Sequence, residues 1–309
     1  MADTISKLKA VSLIKQVEEI FPDKTSEQYT RLPSRVQEIV DHNVEMLSAY
    51  RFTYLSGKKH VVGYMIEPKA GKDPLPCVIW NRGGANDFSA IIKERLFYGM
   101  VATIARAGYI VIATQYAGNE GGEGKDEYGG DDLHDVLNLK TILDEYDRAD
   151  SSRIGMYGAS RGGMMTYLAL KSVDWISAAV IVAGVTDLHR LLNDRPQMKD
   201  TFERMFGIAD TTLNERSAVM WADKISKQAP ILIMHGADDD RVSMLHALDI
   251  SSLFYKYAIP HRLYIFEKTD HYLNQVHPLP IKEAIAWFDR FVKKEQKYSP
   301  SGQSPETIL

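Results

Sequence analysis

Beyond about residue 75 the chain alternates short apolar runs of strand length with longer segments whose apolar residues recur every three or four positions. The runs at 77–81, 109–114, 153–157, 178–183, 231–235 and 262–266 read as core strands. The intervening segments at 91–107, 132–146, 160–173, 243–257 and 281–294 read as helices. Such alternation predicts an α/β domain, a doubly wound and mostly parallel sheet covered on both faces. Ahead of it, 51–55 and 61–67, joined by Ser56-Gly57-Lys58-Lys59, read as a hairpin leading into the sheet.

Two regions stand outside this plan. Ile5, Leu8, Val11, Ile14 and Val17 fall on one face of a predicted amphipathic helix. That face suits packing on the domain or a homodimer contact; its mixed lysines and glutamates disfavour a membrane surface. Residues 186–227, rich in charges and aromatics and lying between two core strands, are long enough for a small helical cap over the active site. The expected organisation is a helical extension over 1–48, the main α/β domain over 49–298 with the cap inserted, and a mobile tail over 299–309.

Composition narrows the partners. A 309-residue chain, 45% hydrophobic and 25% charged, can bury one large core. A net charge of −4 provides no basic stripe for nucleic acid, and no run of 18 apolar residues spans a membrane. The first residues lack the charged start, apolar centre and cleavage site of a secretory signal, so a cytoplasmic location is expected. Cys77, the only cysteine, sits in an apolar run and reads as a buried core thiol. No His-Glu-x-x-His motif and no dinucleotide fingerprint occurs, so neither a metal nor another cofactor is expected.

The most informative segment is 153–170, which reads as a strand, a sharp turn and a helix. Ser160 stands at the turn within Gly158-Ala-Ser160-Arg-Gly162. A nucleophile on such an elbow has strained backbone, and neighbours without side chains let strand and helix approach closely. Ser160 is the candidate nucleophile, and the backbone N–H of Arg161 is the first candidate oxyanion donor.

A serine hydroxyl needs a base within hydrogen-bond reach and a carboxylate to orient that base. Catalytic groups of doubly wound sheets gather at the carboxyl ends of strands. Of the nine histidines, His271 follows the strand at 262–266, whereas His261 precedes it. The segment Ile231-Leu-Ile-Met-His235-Gly-Ala-Asp238-Asp239-Asp240 places three aspartates directly after a strand. Ser160, an aspartate and His271 then run in the order nucleophile, acid, base. His235 reads as a turn residue, because its use as base would reverse that order.

Together these residues resemble the catalytic domain of the prolyl oligopeptidase family, a branch of the α/β-hydrolases, from about Leu75 to Lys294. The likeness rests on Asn81-Arg82-Gly83-Gly84, Gly129-Gly-Asp-Asp132-Leu-His-Asp135, Gly158-Ala-Ser160-Arg-Gly-Gly163, His235-Gly-x-x-Asp239-x-Arg241-Val242 and Asp270-His271. It implies that Asp239, rather than Asp238 or Asp240, is the acid of a Ser160–His271–Asp239 triad. Relatives often carry a tyrosine before the Gly-Gly pair, where this chain has Arg82. The second oxyanion donor is therefore assigned to the backbone of Gly83 or Gly84, while Arg82 either binds a substrate carboxylate or, preferably, forms a structural ion pair.

Residues 118–130 form an acidic, glycine-rich segment without calcium- or phosphate-loop spacing, expected to be a solvated loop near the pocket. Many peptidases of the resembling family carry a large N-terminal propeller, whereas about 75 residues precede the core here. Short peptides or small acyl esters are thus the expected substrates of a serine hydrolase working through an acyl-enzyme. The alternatives are a carboxylesterase without peptidase activity and a noncatalytic binding module of the same fold.

Overall fold

The computed structural model describes residues 2–71 and 74–296; the expected tail at 299–309 lies outside the described residues. Nine strands among these residues form one mixed sheet in the order β1-β2-β3-β5-β4-β6-β7-β8-β9. They are β1 (Ile14–Ile20), β2 (Leu47–Ser56), β3 (Lys59–Pro68), β4 (Leu75–Asn81), β5 (Ile110–Thr114), β6 (Ala149–Ala159), β7 (Ile176–Val182), β8 (Ile231–Gly236) and β9 (His261–Phe266). The pairings β1·β2, β2·β3 and β3·β5 are antiparallel. All pairings from β5 through β9 are parallel. This is the expected α/β-hydrolase architecture.

Both faces of the sheet are covered. Along β4, Cys77 and Ile79 belong to one apolar layer and Val78 to the other, so the period of two sends side chains alternately into two cores. Cys77 is fully buried, as its apolar neighbours predict. Helices α1 (Ala2–Ala10), α2 (Glu27–Thr30), α3 (Ser34–Met46), α4 (Gly99–Arg106), α5 (Leu133–Leu137), α6 (Leu139–Glu145) and α7 (Arg161–Ser172) are followed by α8 (Leu188–Asp194), α9 (Lys199–Met205), α10 (Asp210–Arg216), α11 (Leu245–Lys256) and α12 (Leu279–Phe288). Short helices α8, α9 and α10 occupy the stretch between β7 and β8.

The amino-terminal reading needs correction. A single helix over 5–17 was expected inside a helical extension, but α1 stops at Ala10 and Ile14–Ile20 is an edge strand of the main sheet. The physical reason is pairing. The outer side of β2 offers unpaired backbone groups, which β1 satisfies. Ser12 marks the break, its backbone N–H and hydroxyl both donating to the Glu145 carboxylate at 2.5 and 2.7 Å. Leu8, Val11 and Ile14 still reach the core, now from two elements. The helix expected over 91–107 is likewise split into a 3-10 turn at Lys93–Phe97 and α4, which opens on Gly99 at φ +73°.

Buried Asp135 ties the hairpin to the sheet's carboxyl end. Its carboxylate accepts from Ser56 Oγ at 2.6 Å and from Ala117 N at 2.8 Å. Burial outweighs both donors and pushes the carboxyl up from 3.8 to about 6. Between those values the folded protein binds more protons than the unfolded chain, so the stability this group contributes is full below 3.8 and is lost as pH rises through about 6. The unfolding free energy of the wild type, measured against Asp135→Asn by urea denaturation, should therefore decline from about pH 4 to about pH 7. A difference that stays flat over this range contradicts the shift.

Candidate active site

The turn after β6 is built from close backbone approach. A Cβ at Gly158 would strike the carbonyl of Gly162, and one at Gly162 would strike the carbonyl of Asn81 at the end of β4. Only glycine fits either place. Ser160 has φ 56° and ψ −121°, a strained conformation for a residue bearing a side chain. Four backbone bonds hold it there: Ser160 N donates to Val182 O at 2.9 Å, while Gly163 N, Met164 N and Val185 N donate to its carbonyl at 3.0, 3.4 and 3.2 Å. The glycines, the strain and the following helix α7 form the elbow that the sequence pattern requires.

The acid and base candidates meet. Asp239 follows β8 and is buried, whereas Asp238 and Asp240 are exposed. His271 follows β9, the neighbouring strand. Its Nδ1 lies 2.7 Å from Asp239 Oδ2. The other carboxylate oxygen, Oδ1, accepts from the backbone N–H groups of Arg241 and Val242, each at 2.9 Å. Burial would raise the pKa of Asp239, but hydrogen bonds from His235, His271 and the backbone outweigh it and hold the carboxyl well below the usual carboxylate range. An ionised carboxylate only accepts, so Nδ1 of His271 carries the proton and Nε2 is the basic nitrogen.

His235 adds a contact that its reading as a turn residue did not include. Nε2 lies 2.7 Å from Val242 O and 3.2 Å from Asp239 Oδ2. Both partners are acceptors, so this nitrogen bears hydrogen and braces the aspartate from behind. The signal in the sequence was the four-residue spacing from His235 to Asp239 across a turn.

Ser160 and His271 line one cavity of about 660 Å³, together with Gly83, Gly84, Tyr157 and Val182. Gly83 packs on the turn that carries Ser160: a Cβ there would sit 3.4 Å from Ser160 Cβ. Gly84 has φ +71° and abuts the carbonyl of Phe88. Arg161 N is the first amide of α7. Arg82 is buried and donates only to carbonyls: Nε and Nη2 to Gln115 O, Nη1 to Gly83 O and Phe88 O, and Nη2 also to Asn86 O. The ion pair preferred from the sequence is therefore absent, and the five N–H groups of a guanidinium are fully occupied without a substrate.

The loop at 118–130 is exposed over much of its length, as expected, but it is also pinned at its buried Asp126. Arg161 is fully buried and binds Asp126 through Nη1 at 2.8 Å and Nη2 at 2.6 Å, binds Asp132 at 2.6 Å, and reaches Gly84 O at 3.0 Å. Its guanidinium is also 4.4 Å from the Tyr116 ring and 4.7 Å from the Tyr128 ring. Burial alone would lower its pKa, yet the two carboxylates outweigh that effect and raise it. One side chain thus fastens the acidic loop and the Gly83-Gly84 loop beneath the elbow. The sequence shows the charges but not which of them pair.

Elbow, sheet order and the Asp239–His271 pair define an α/β-hydrolase. A profile of the prolyl oligopeptidase family matches residues 96–295, and the chain belongs to that family of serine hydrolases. It is 27% identical over 228 residues to the uncharacterized peptidase YtmA of Bacillus subtilis, covering 72% of this chain and 86% of that one. It is 25% identical over 233 residues to dipeptidyl-peptidase 5 of Porphyromonas gingivalis, covering 71% of this chain and 34% of that enzyme. Among solved structures, an acylaminoacyl peptidase of Pyrococcus horikoshii aligns with a TM-score of 0.68 at 21% identity, covering 86% of this chain and 45% of that one. The chain therefore spans most of the Bacillus relative but less than half of the other two.

Replacing Arg161 by methionine leaves Asp126 and Asp132 buried without their cation. The expected loss is about 3–5 kcal/mol of stability, read from the shift in urea midpoint at constant m. A loss under about 1 kcal/mol would mean that the cluster relaxes into water rather than fixing the loops.

Proposed function

We propose that the protein hydrolyses short peptides or small acyl esters through an acyl-enzyme, with Ser160 as nucleophile, His271 as general base and Asp239 as the acid that orients it. The observation that carries this reading is the 2.7 Å bond from His271 Nδ1 to Asp239 at the rim of the cavity that also holds the strained Ser160. His271 Nε2 takes the Ser160 proton as Oγ attacks the substrate carbonyl, and returns it to the leaving group. Asp239 stabilises the imidazolium. Water, activated by the same imidazole, then cleaves the acyl-enzyme.

Charge developing on the carbonyl oxygen needs donors already in place. Arg161 N, at the start of α7, and the backbone N–H of Gly83 or Gly84 are the proposed pair. Glycine at 83 lets that loop lie against the nucleophile, and Arg161's side chain holds Gly84 O from below. The names of the relatives, a dipeptidyl-peptidase and an acylaminoacyl peptidase, support peptides as the substrate class.

Two measurements test the reading. A fluorophosphonate probe should label the wild type stoichiometrically at Ser160 and leave Ser160→Ala unlabelled; an unlabelled, well-folded wild type favours a noncatalytic binding module. With a hydrolysed substrate, Ser160→Ala should lower kcat by about 10⁵–10⁶ and Asp239→Asn by about 10⁴.

Matched panels of aminoacyl anilides and acyl esters decide the bond. Turnover of both classes is expected. Ester turnover alone overturns the peptidase half of the proposal.

A further inference from the structure

The cavity wall carries charge of one sign. Arg82, Arg95, Arg195 and Arg241 line it, and among the described residues no aspartate or glutamate does, although the chain as a whole has a net charge of −4. Arg82 is committed to backbone carbonyls. The remaining three come from separate segments: Arg95 from the 3-10 turn at Lys93–Phe97, Arg195 from the end of α8, and Arg241 from the turn after β8. Among the described residues, every arginine–carboxylate pair involves other arginines, such as Arg51, Arg148, Arg153, Arg161 and Arg190.

Arg241 is the best placed of the three. Its guanidinium carbon lies 5.3 Å from the Tyr272 ring and 5.7 Å from the Phe88 ring. The Tyr272 ring is in turn 5.4 Å from the His271 imidazole. Both aromatic rings are more than half exposed, Phe88 at 59% and Tyr272 at 57%. Contact with ring faces positions a guanidinium while leaving N–H groups for a planar anion. Unneutralised like charges in a partly enclosed recess repel one another, and the recess focuses their field on whatever enters. An anion relieves the repulsion; a neutral or cationic ligand does not.

We infer that this cavity selects substrates bearing a free carboxylate, received by Arg241, with Arg195 and Arg95 supplying the surrounding positive field. The inference rests on the cavity being the active site proposed above. The carboxylate belongs either to the carboxyl terminus of the leaving peptide or to an acidic group on the acyl side.

Binding to the full-length Ser160→Ala protein tests this without turnover. Two ligand pairs are titrated calorimetrically: acetyl-trialanine as its free acid and as its amide, then succinyl- and butyryl-dialanine amide. In at least one pair the charged member should bind about tenfold or more tightly at low salt, since a charge-assisted bidentate contact is roughly twice as strong as a neutral one. The pair that shows the preference identifies the end of the substrate that carries the charge. The preference should shrink in about 0.5 M salt and fall toward unity in Ser160→Ala carrying Arg241→Gln.

Equal binding within each pair, binding of none of the four, or a preference untouched by both Arg241→Gln and Arg195→Gln would overturn the inference. Fluorophosphonate labelling of the wild type reports separately on Ser160. A reactive serine with no carboxylate preference sinks the specificity alone, and an unreactive serine with a clear preference sinks the hydrolase reading alone.

Discussion

Everything at the carboxyl end of the sheet depends on main chain touching main chain where β6 turns into α7. Gly158, Gly162 and Gly83 are not merely small; each occupies a place where an added methyl would meet a neighbouring carbonyl or the serine itself. That contact forces Ser160 into positive φ and presents the residue at the cavity rather than in the sheet. A looser turn would let the serine relax into ordinary helix geometry. The parallel order β6-β7-β8-β9 then brings the segments bearing Asp239 and His271 to the same side, though they follow the serine by long stretches of sequence.

A buried ionic cluster supports this backbone contact. The guanidinium of Arg161 reaches two carboxylates and a carbonyl on separate loops. Buried charge of this kind adds little net stability against an apolar replacement, but losing one partner is costly. The arrangement therefore fixes loop positions more than it strengthens the fold. It also explains why an acidic, glycine-rich segment that looks mobile in sequence is held in place: Asp126 serves Arg161, Asn86 N and Asn119 at once.

The parallel core was legible because its apolar runs and helical periods are long and regular. The edge strand was not. Ile14 and Val17, three apart, fit one face of a helix, and nothing local reveals that β2 offers hydrogen bonds to them. At the site, the order of serine, aspartate and histidine along the chain could be read directly, whereas the choice of Asp239 over its two neighbours rested on family likeness. Geometry distinguishes them by burial and by the bond to His271. Pairing among buried charges, as at Arg161, and the carbonyl cage around Arg82 arise from long-range contacts that no spacing encodes.

Asp239 is saturated. Two ring nitrogens and two main-chain amides converge on its two oxygens, so a proton arriving there would have to displace an existing donor. The carboxylate therefore serves as a fixed counterion and never as a proton store. The imidazole beside it is thereby held in one orientation by a partner that does not itself change.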